Sequence, residues 1–228
     1  MPVLEKNTFY TDLPEKEYCQ TISLEYRKQF AQFFTPYPIA KFMAHWILGN
    51  PNCKNVLDPA FGLGVFSRAL LEANPSLAIK GFDIDEKVLE KASDLLDGQN
   101  VSLNNQDYMY NDWDNKYDGI ICNPPYLKFH DYDNKSALQE IKHRLNCSLT
   151  GFTNLYTLFL LKSAYQLKEE GRAAYIVPSE FMNSDYGKNV KTYLKENRSL
   201  RYIIVFDFEE NVFDDALTTS SILLFAND

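Results

Sequence analysis

Short apolar runs alternate along this chain with stretches in which apolar residues recur every three or four positions. The runs predict strands at Asn55–Leu57, Ala78–Asp83, Val101–Asn105, Gly119–Cys122, Ala173–Val177, Tyr202–Phe208 and Ser220–Phe225. The first five each precede or follow a helical stretch. That alternation predicts a doubly wound α/β domain with a mainly parallel sheet. Between the last two runs there is no good helical pattern, so they predict a hairpin with a long turn and an antiparallel edge strand in a seven-stranded sheet.

The helical stretches carry start and stop signals. Thr35 followed by Pro36 reads as a cap and a proline at the first helical position, with Ile39, Phe42, Met43, Trp46 and Ile47 at helical spacing and Gly49 closing the segment. Asp85 caps a second helix with Val88, Leu89, Ala92, Leu95 and Leu96 on one face and Gly98 at its end. A third is expected from about Thr153 to Lys168, with Leu155, Leu158, Phe159 and Leu167 buried. A fourth is expected from near Ser184, with Val190, Tyr193 and Leu194. Leu127–Gly151 fits no element. It is polar, locally basic and long for a loop in a compact domain, a kind of segment that is often functional.

The chain has 228 residues, 45% of them hydrophobic, enough for one sizeable core. It carries no apolar run long enough to cross a bilayer. The acidic start "MPVLEKNTFYTDLPEKEY" lacks the layout of a secretory signal. Cys19, Cys53, Cys122 and Cys147 are scattered, without a C-x-x-C pair, and read as reduced thiols. His45, His130 and His143 have no ligand spacing, so no metal site is expected. These features predict a cytoplasmic protein. The net charge of −8 is unusual for a chain whose own surface grips nucleic acid.

In an open α/β sheet, ligands sit outside the C-terminal strand ends. Four polar groups stand there. The first strand runs into "LDPAFGLG", with Asp58, Phe61, Gly62 and Gly64; the second ends "GFDID", with Asp83; the third runs into "NNQDYM", with Asp107 and Tyr108; the fourth ends Asn123-Pro124-Pro125-Tyr126. Gly62-x-Gly64 lets backbone approach a ligand closely, but it lacks the third glycine of a dinucleotide fingerprint and the lysine of a P-loop. Asp58 beside it would repel a pyrophosphate and suits an ammonium. An acid at the second strand end suits ribose hydroxyls, and one at the third suits an exocyclic amine. Ammonium, ribose and adenine together describe S-adenosylmethionine. Asp85 is read as a helix cap.

Two consecutive prolines fix two φ angles and hold Asn123 extended. They make a stiff ledge that offers the Asn123 amide oxygen and the Pro124 carbonyl as acceptors, with Tyr126 as a flat stacking surface. A planar substrate bearing an NH₂ group fits that ledge. Acceptors outside the ring plane favour the pyramidal nitrogen and free its lone pair, so that positioning and charge stabilisation supply most of the rate.

The ordered set "QFFTPYPIAKFM", "VLDPAFGLGVF", "GFDID", "QDYM", "NPPY" and "NVFDDALTTSSILLF" resembles the amino-methyltransferases. It most closely resembles the gamma-class N6-adenine DNA methyltransferases of bacterial restriction–modification systems. The resemblance covers roughly residues 25–228 and implies a Rossmann-like S-adenosylmethionine-dependent methyltransferase. It further implies that Thr35 and Pro36 contact the methionine part of the cofactor, with Asp58, Phe61 and Gly62 nearby. Asp83 would hold the ribose and Asp107 the adenine amine, with Tyr108 against the ring. Asn123, Pro124, Pro125 and Tyr126 would hold an adenine extruded from double-stranded DNA, with Phe213 on its other side. Residues 1–24 would form an N-terminal extension and 25–228 the catalytic domain. A DNA-recognition region is expected to be absent, so DNA binding would be weak, and a restriction subunit is a possible partner. Three alternatives stay open: methylation of a glutamine side chain in a protein, methylation of an RNA amine, and a non-catalytic binding subunit.

Overall fold

The computed structural model describes residues 6–128, 130–133, 135–147, 149, 151, 153–179, 185–196, 199–206 and 220–227. Seven strands form one sheet: β1 (Asn55–Asp58), β2 (Ala78–Asp83), β3 (Val101–Asn105), β4 (Tyr117–Cys122), β5 (Leu167–Pro178), β6 (Leu200–Val205) and β7 (Ser220–Ala226). Their order is β3-β2-β1-β4-β5-β7-β6. Neighbours pair in parallel from β3 to β5, whereas β7 runs antiparallel to both β5 and β6. The expected antiparallel element is therefore β7, lying between β5 and the outermost β6.

The nine described helices are α1 (Lys6–Phe9), α2 (Leu13–Thr21), α3 (Leu24–Gln29), α4 (Tyr37–Leu48), α5 (Val65–Ala73), α6 (Glu86–Leu95), α7 (Lys135–Leu145), α8 (Leu155–Gln166) and α9 (Asp185–Glu196). Strand alternation divides the core between the two faces of the sheet. Val56, Ile79, Ile121, Ala174, Ile176, Ile222 and Leu224 pack with the apolar sides of α4, α5 and α6. Leu57, Phe82, Ile120, Cys122, Ala173, Tyr175, Leu223 and Phe225 pack with α7, α8 and α9. The four cysteines are free thiols. Among the described residues no helix is long and apolar enough to cross a membrane, and no cluster of potential metal ligands occurs.

Several expectations change. The polar Leu127–Gly151 segment contains α7, whose Ala137 and Ile141 are fully buried; two inward residues on an otherwise polar helix give too faint a stripe to read. Helix α8 stops at Gln166, and Leu167 opens β5, which is longer than expected. Pro36 is the N-cap of α4 rather than its first residue. Phe42 is 47% exposed, because α4 buries Ala40, Met43, Ala44 and Ile47 instead. Asp85 does cap α6, its side chain accepting from the Lys87 N–H. Ser184, the expected strand end at Asp207 and Phe208, and the turn around Phe213 lie outside the described residues.

The N-terminal helices are pinned to the domain by Arg68 on α5, whose side chain is wholly buried. It donates to the carbonyls of Phe9 (2.6 Å) and Thr11 (2.8 Å) and to the Glu15 carboxylate. The Asp12 carboxylate accepts from the Tyr37 N–H at the start of α4.

Candidate active site at the strand ends

The C-terminal ends of β1, β2, β3 and β4 open on one cleft, enclosing about 880 Å³ of space with its open, solvent-side mouth included. Its wall carries Thr35, Phe61, Gly62, Asp83, Asp107, Tyr108, Asn123 and Pro125 of the residues expected from sequence. Lys, Arg and His are missing from the described wall, so the site suits a ligand that donates hydrogen bonds or carries positive charge rather than a phosphate.

The floor is the turn after β1. Gly62 and Gly64 sit at φ 54° and 76°, where a side chain would be strained. The Gly62 N–H donates to Asp83 Oδ2 at 2.9 Å, and the Phe61 N–H donates to the Phe82 carbonyl at 2.8 Å. These bonds join the turn to β2. The Phe61 ring lies over Gly81, where an added Cβ would come within 2.2 Å of it. Gly81 thus makes room for the floor, a role that the sequence pattern alone did not reveal.

Asp83 Oδ1 accepts from the Asp85 N–H at 3.0 Å. Burial raises its pKa, opposed by the bonds from the Asp85 and Gly62 amides. Each oxygen retains a lone pair for a hydroxyl. Asp107 Oδ1 accepts from the Met109 N–H at 2.8 Å, and Oδ2 accepts from the Tyr132 hydroxyl at 3.1 Å. Tyr132, in the Leu127–Gly151 segment that fitted no element but was expected to be of a functional kind, is a wall residue not named from the sequence. Tyr108 reaches the cleft wall but is otherwise core, 1% exposed, with its hydroxyl donating to Gln166. Beneath it the buried Lys162 donates to the carbonyls of Tyr108 and Asn111, fixing the turn that carries Asp107. Burial pushes the Lys162 pKa down to about 7.

Asp58, Pro36, Pro124 and Tyr126 do not line the cleft. Asp58 is completely buried at the end of β1, directly before the floor. Its Oδ1 accepts from the Ala60 N–H at 3.4 Å, and Oδ2 has no hydrogen-bond partner among the described residues. Burial holds its pKa well above the usual carboxylate range, and the Asp83 charge adds to the rise. A raised folded-state pKa means that this group favours the folded state fully at low pH, a contribution lost as pH rises through the folded value. Asp58→Asn, neutral throughout, is therefore expected to match the cofactor-free wild type at acidic pH and to melt higher above that pKa. Paired thermal melts across pH check this; a gap that does not widen with pH would show that the carboxylate is not paying this penalty.

Asn123 stands on the cleft wall just after β4. Its Nδ2 donates to the Phe33 carbonyl at 2.6 Å and to Thr35 Oγ1 at 3.2 Å. A carbonyl can only accept, so the amide is oriented with nitrogen toward Phe33. Oδ1 is left without a hydrogen-bond partner among the described residues. The Thr35 hydroxyl, expected as a helix cap, is used here instead. Tyr126 differs from the open stacking surface expected of it. Its ring packs near-parallel to Phe33 (centroids 6.4 Å, 16°) and edge-on to Tyr156, and its hydroxyl donates to the Ile176 carbonyl at 3.3 Å. Three packed neighbours leave it half-buried as a brace for the ledge. Phe213 lies outside the described residues.

The family model of the Eco57I restriction-modification methylases matches residues 60–213, more than half of the chain. The chain belongs to that family. It is 66% identical over 215 residues to Type II methyltransferase M.AccI of Acinetobacter calcoaceticus, covering 94% of this chain and 40% of that protein. It is 28% identical over 198 residues to Type II methyltransferase M.HincII of Haemophilus influenzae, covering 85% of this chain and 36% of that protein. The chain thus spans about two fifths of the length of these curated relatives. Its fold matches a Listeria monocytogenes protein assigned to the class I S-adenosylmethionine-dependent methyltransferases, with TM-score 0.72 at 20% identity, over 94% of this chain and 65% of that one. S-adenosylmethionine is the cofactor that family and fold imply. The site fits it: the wall is acidic and free of described cations, two carboxylates at the strand ends retain lone pairs, and a buried carboxylate oxygen behind the floor has no hydrogen-bond partner among the described residues.

Proposed function

We propose that this chain is the catalytic part of a restriction–modification methyltransferase acting on the N6 amine of an adenine flipped out of duplex DNA. The observation that carries the reading is the Asn123 amide, tied by its nitrogen so that its oxygen is the acceptor left over on the cleft wall.

When bound, S-adenosylmethionine supplies an electrophilic methyl group on a sulfonium. Asp83 would hold the ribose hydroxyls and Asp107 the adenine amine of that cofactor. Asp58 would answer its positive end from behind the floor, with Thr35, Phe61 and Gly62 shaping the same end and Tyr108 backing the ring. The residues facing the substrate do little acid–base chemistry. Asn123 Oδ1 accepts one N–H of the amine, draws the nitrogen toward a pyramidal geometry and stabilises the charge that develops on it. The Pro124 carbonyl, expected as a second acceptor, belongs to a residue that does not line the cleft and takes no such role. Pro125 keeps the ledge rigid, and Tyr126 braces it from behind. The high identity to a Type II methyltransferase over nearly the whole chain supports DNA over protein or RNA as the target. Residues 25–228 form the catalytic unit in this reading, and the remainder of the longer enzyme supplies most of the DNA grip. With a net charge of −8, this chain by itself binds duplex weakly and in a salt-sensitive way.

The test is labelled methyl transfer from S-adenosylmethionine to duplex DNA, tRNA and a glutamine-bearing protein in parallel, with the modified product identified by mass spectrometry. N6-methyladenine in the DNA is expected. Label in cytosine, RNA or protein alone would overturn the assignment.

A further inference from the structure

We infer that Gln32 and Asp85 form a latch that positions the Phe33–Thr35 wall against the cofactor and, through that wall, orients the Asn123 amide. This rests on reading the cleft as an S-adenosylmethionine site.

Asp85 is 3% exposed and forms no salt bridge among the described residues. Capping α6 uses one of its lone pairs, in the bond from the Lys87 N–H at 3.1 Å. A lone serine would do that as well. Its remaining bonds leave the helix for the N-terminal segment. Gln32 Nε2 donates to Oδ2 at 2.6 Å, and the Tyr26 hydroxyl donates to Oδ1 at 2.7 Å. The other end of the Gln32 amide is held too, Oε1 accepting from the Tyr18 hydroxyl at 3.4 Å. Gln32 is itself buried, one residue before the carbonyl that holds Asn123 and three before the hydroxyl that does so. Ala31, on its other side, sits at φ 50°, in a region unfavourable for alanine. The approach to the wall is therefore strained and needs a tether. Asp85 is anchored in turn to Asp83, which accepts from its N–H. The acid expected to meet the cofactor and the amide expected to meet the substrate are thus joined through Asp85, Gln32 and Phe33.

Three variants separate the latch from the cap. Gln32→Met keeps the volume and removes both bonds. Asp85→Ser keeps the cap and removes the oxygen that meets Gln32. Asp85→Asn can rebuild the network if the Gln32 amide turns over. The oxygen of the introduced amide would then accept from Tyr26 and Lys87, its nitrogen would donate to Gln32 Oε1, and Gln32 Nε2 would donate to Tyr18. The measurements are calorimetric affinity for S-adenosylmethionine and amide hydrogen exchange of Gln32 and Phe33, whose N–H groups bond to the Arg27 and Ala31 carbonyls. Gln32→Met and Asp85→Ser are each expected to weaken cofactor binding and to speed exchange by roughly tenfold, the usual consequence of losing a hydrogen bond to a charged group. Asp85→Asn is expected to recover most of both. Wild-type affinity and exchange in the first two variants would overturn the latch, as would an Asp85→Asn variant as impaired as Asp85→Ser. Should the wild-type chain bind no S-adenosylmethionine, the cofactor reading fails, while exchange at Gln32 and Phe33 still decides the latch.

Discussion

Asn123→Ala is expected to lower methyl transfer by roughly a thousandfold, by analogy with loss of a positioned charge-stabilising group, while affinity for S-adenosylmethionine stays within a few-fold of wild type. The two effects separate because of how the side chain is held. Among the described residues its nitrogen bonds to the Phe33 carbonyl and the Thr35 hydroxyl, both on the cleft wall. Without it, these groups can be hydrated through the open mouth, so the wall loses little. What disappears is the acceptor proposed to draw the substrate amine out of conjugation. Initial rates at saturating cofactor, set beside calorimetric binding, read the two quantities independently. Near-normal turnover would remove the ledge from the mechanism.

The largest stability effect is expected at Arg68. Replacing it with alanine leaves the Glu15 carboxylate buried and unpaired and strips two backbone carbonyls of their donor. The cost expected for breaking such a pair is about 3–5 kcal/mol. Because the bonds run to Phe9, Thr11 and Glu15, the loss should also loosen α1 and α2 from the domain, visible as early proteolytic cleavage before residue 22. The charge is not needed for the packing, however. The guanidinium lies 5.9 Å and 5.6 Å from the centroids of the Phe9 and Tyr37 rings, an apolar setting. A double variant, Arg68→Met with Glu15→Leu, is therefore expected to recover much of the stability in urea titrations. A double variant no more stable than Arg68→Ala would show that the two carbonyls, not the stranded charge, set the cost.

Much of the site was legible because strand ends and motif spacing are local properties. Asp83, Asp107 and Asn123 stand where the β2, β3 and β4 runs stop, and short runs of β-favouring residues are enough to find those strands. Features that depend on partners distant in sequence were hidden. Nothing near Gln32 announces that it meets Asp85, 53 residues away, and nothing near Gly81 announces the Phe61 ring. Thr35 has the local signature of a cap, yet Asn123 competes for its hydroxyl across 88 residues and wins. Tyr126 looked like an open face because its neighbours in sequence are prolines; Phe33 and Tyr156 come from elsewhere. Helix α7 was missed for a different reason. It buries only one narrow stripe and carries Lys135, Lys142 and Arg144 on the rest, so its composition resembles a solvated loop.

The position of β7 has a consequence for how the chain must be assembled as it is made. β7 is later in sequence than both strands it separates, and among the described residues β6 pairs with the sheet through β7 alone. A nascent polypeptide that has emerged as far as residue 205 therefore holds β6 with no ladder to join and β5 with one bare flank. Closure waits for Ser220–Ala226 to slot between them, the kind of long-range pairing that slows folding and leaves edges exposed meanwhile.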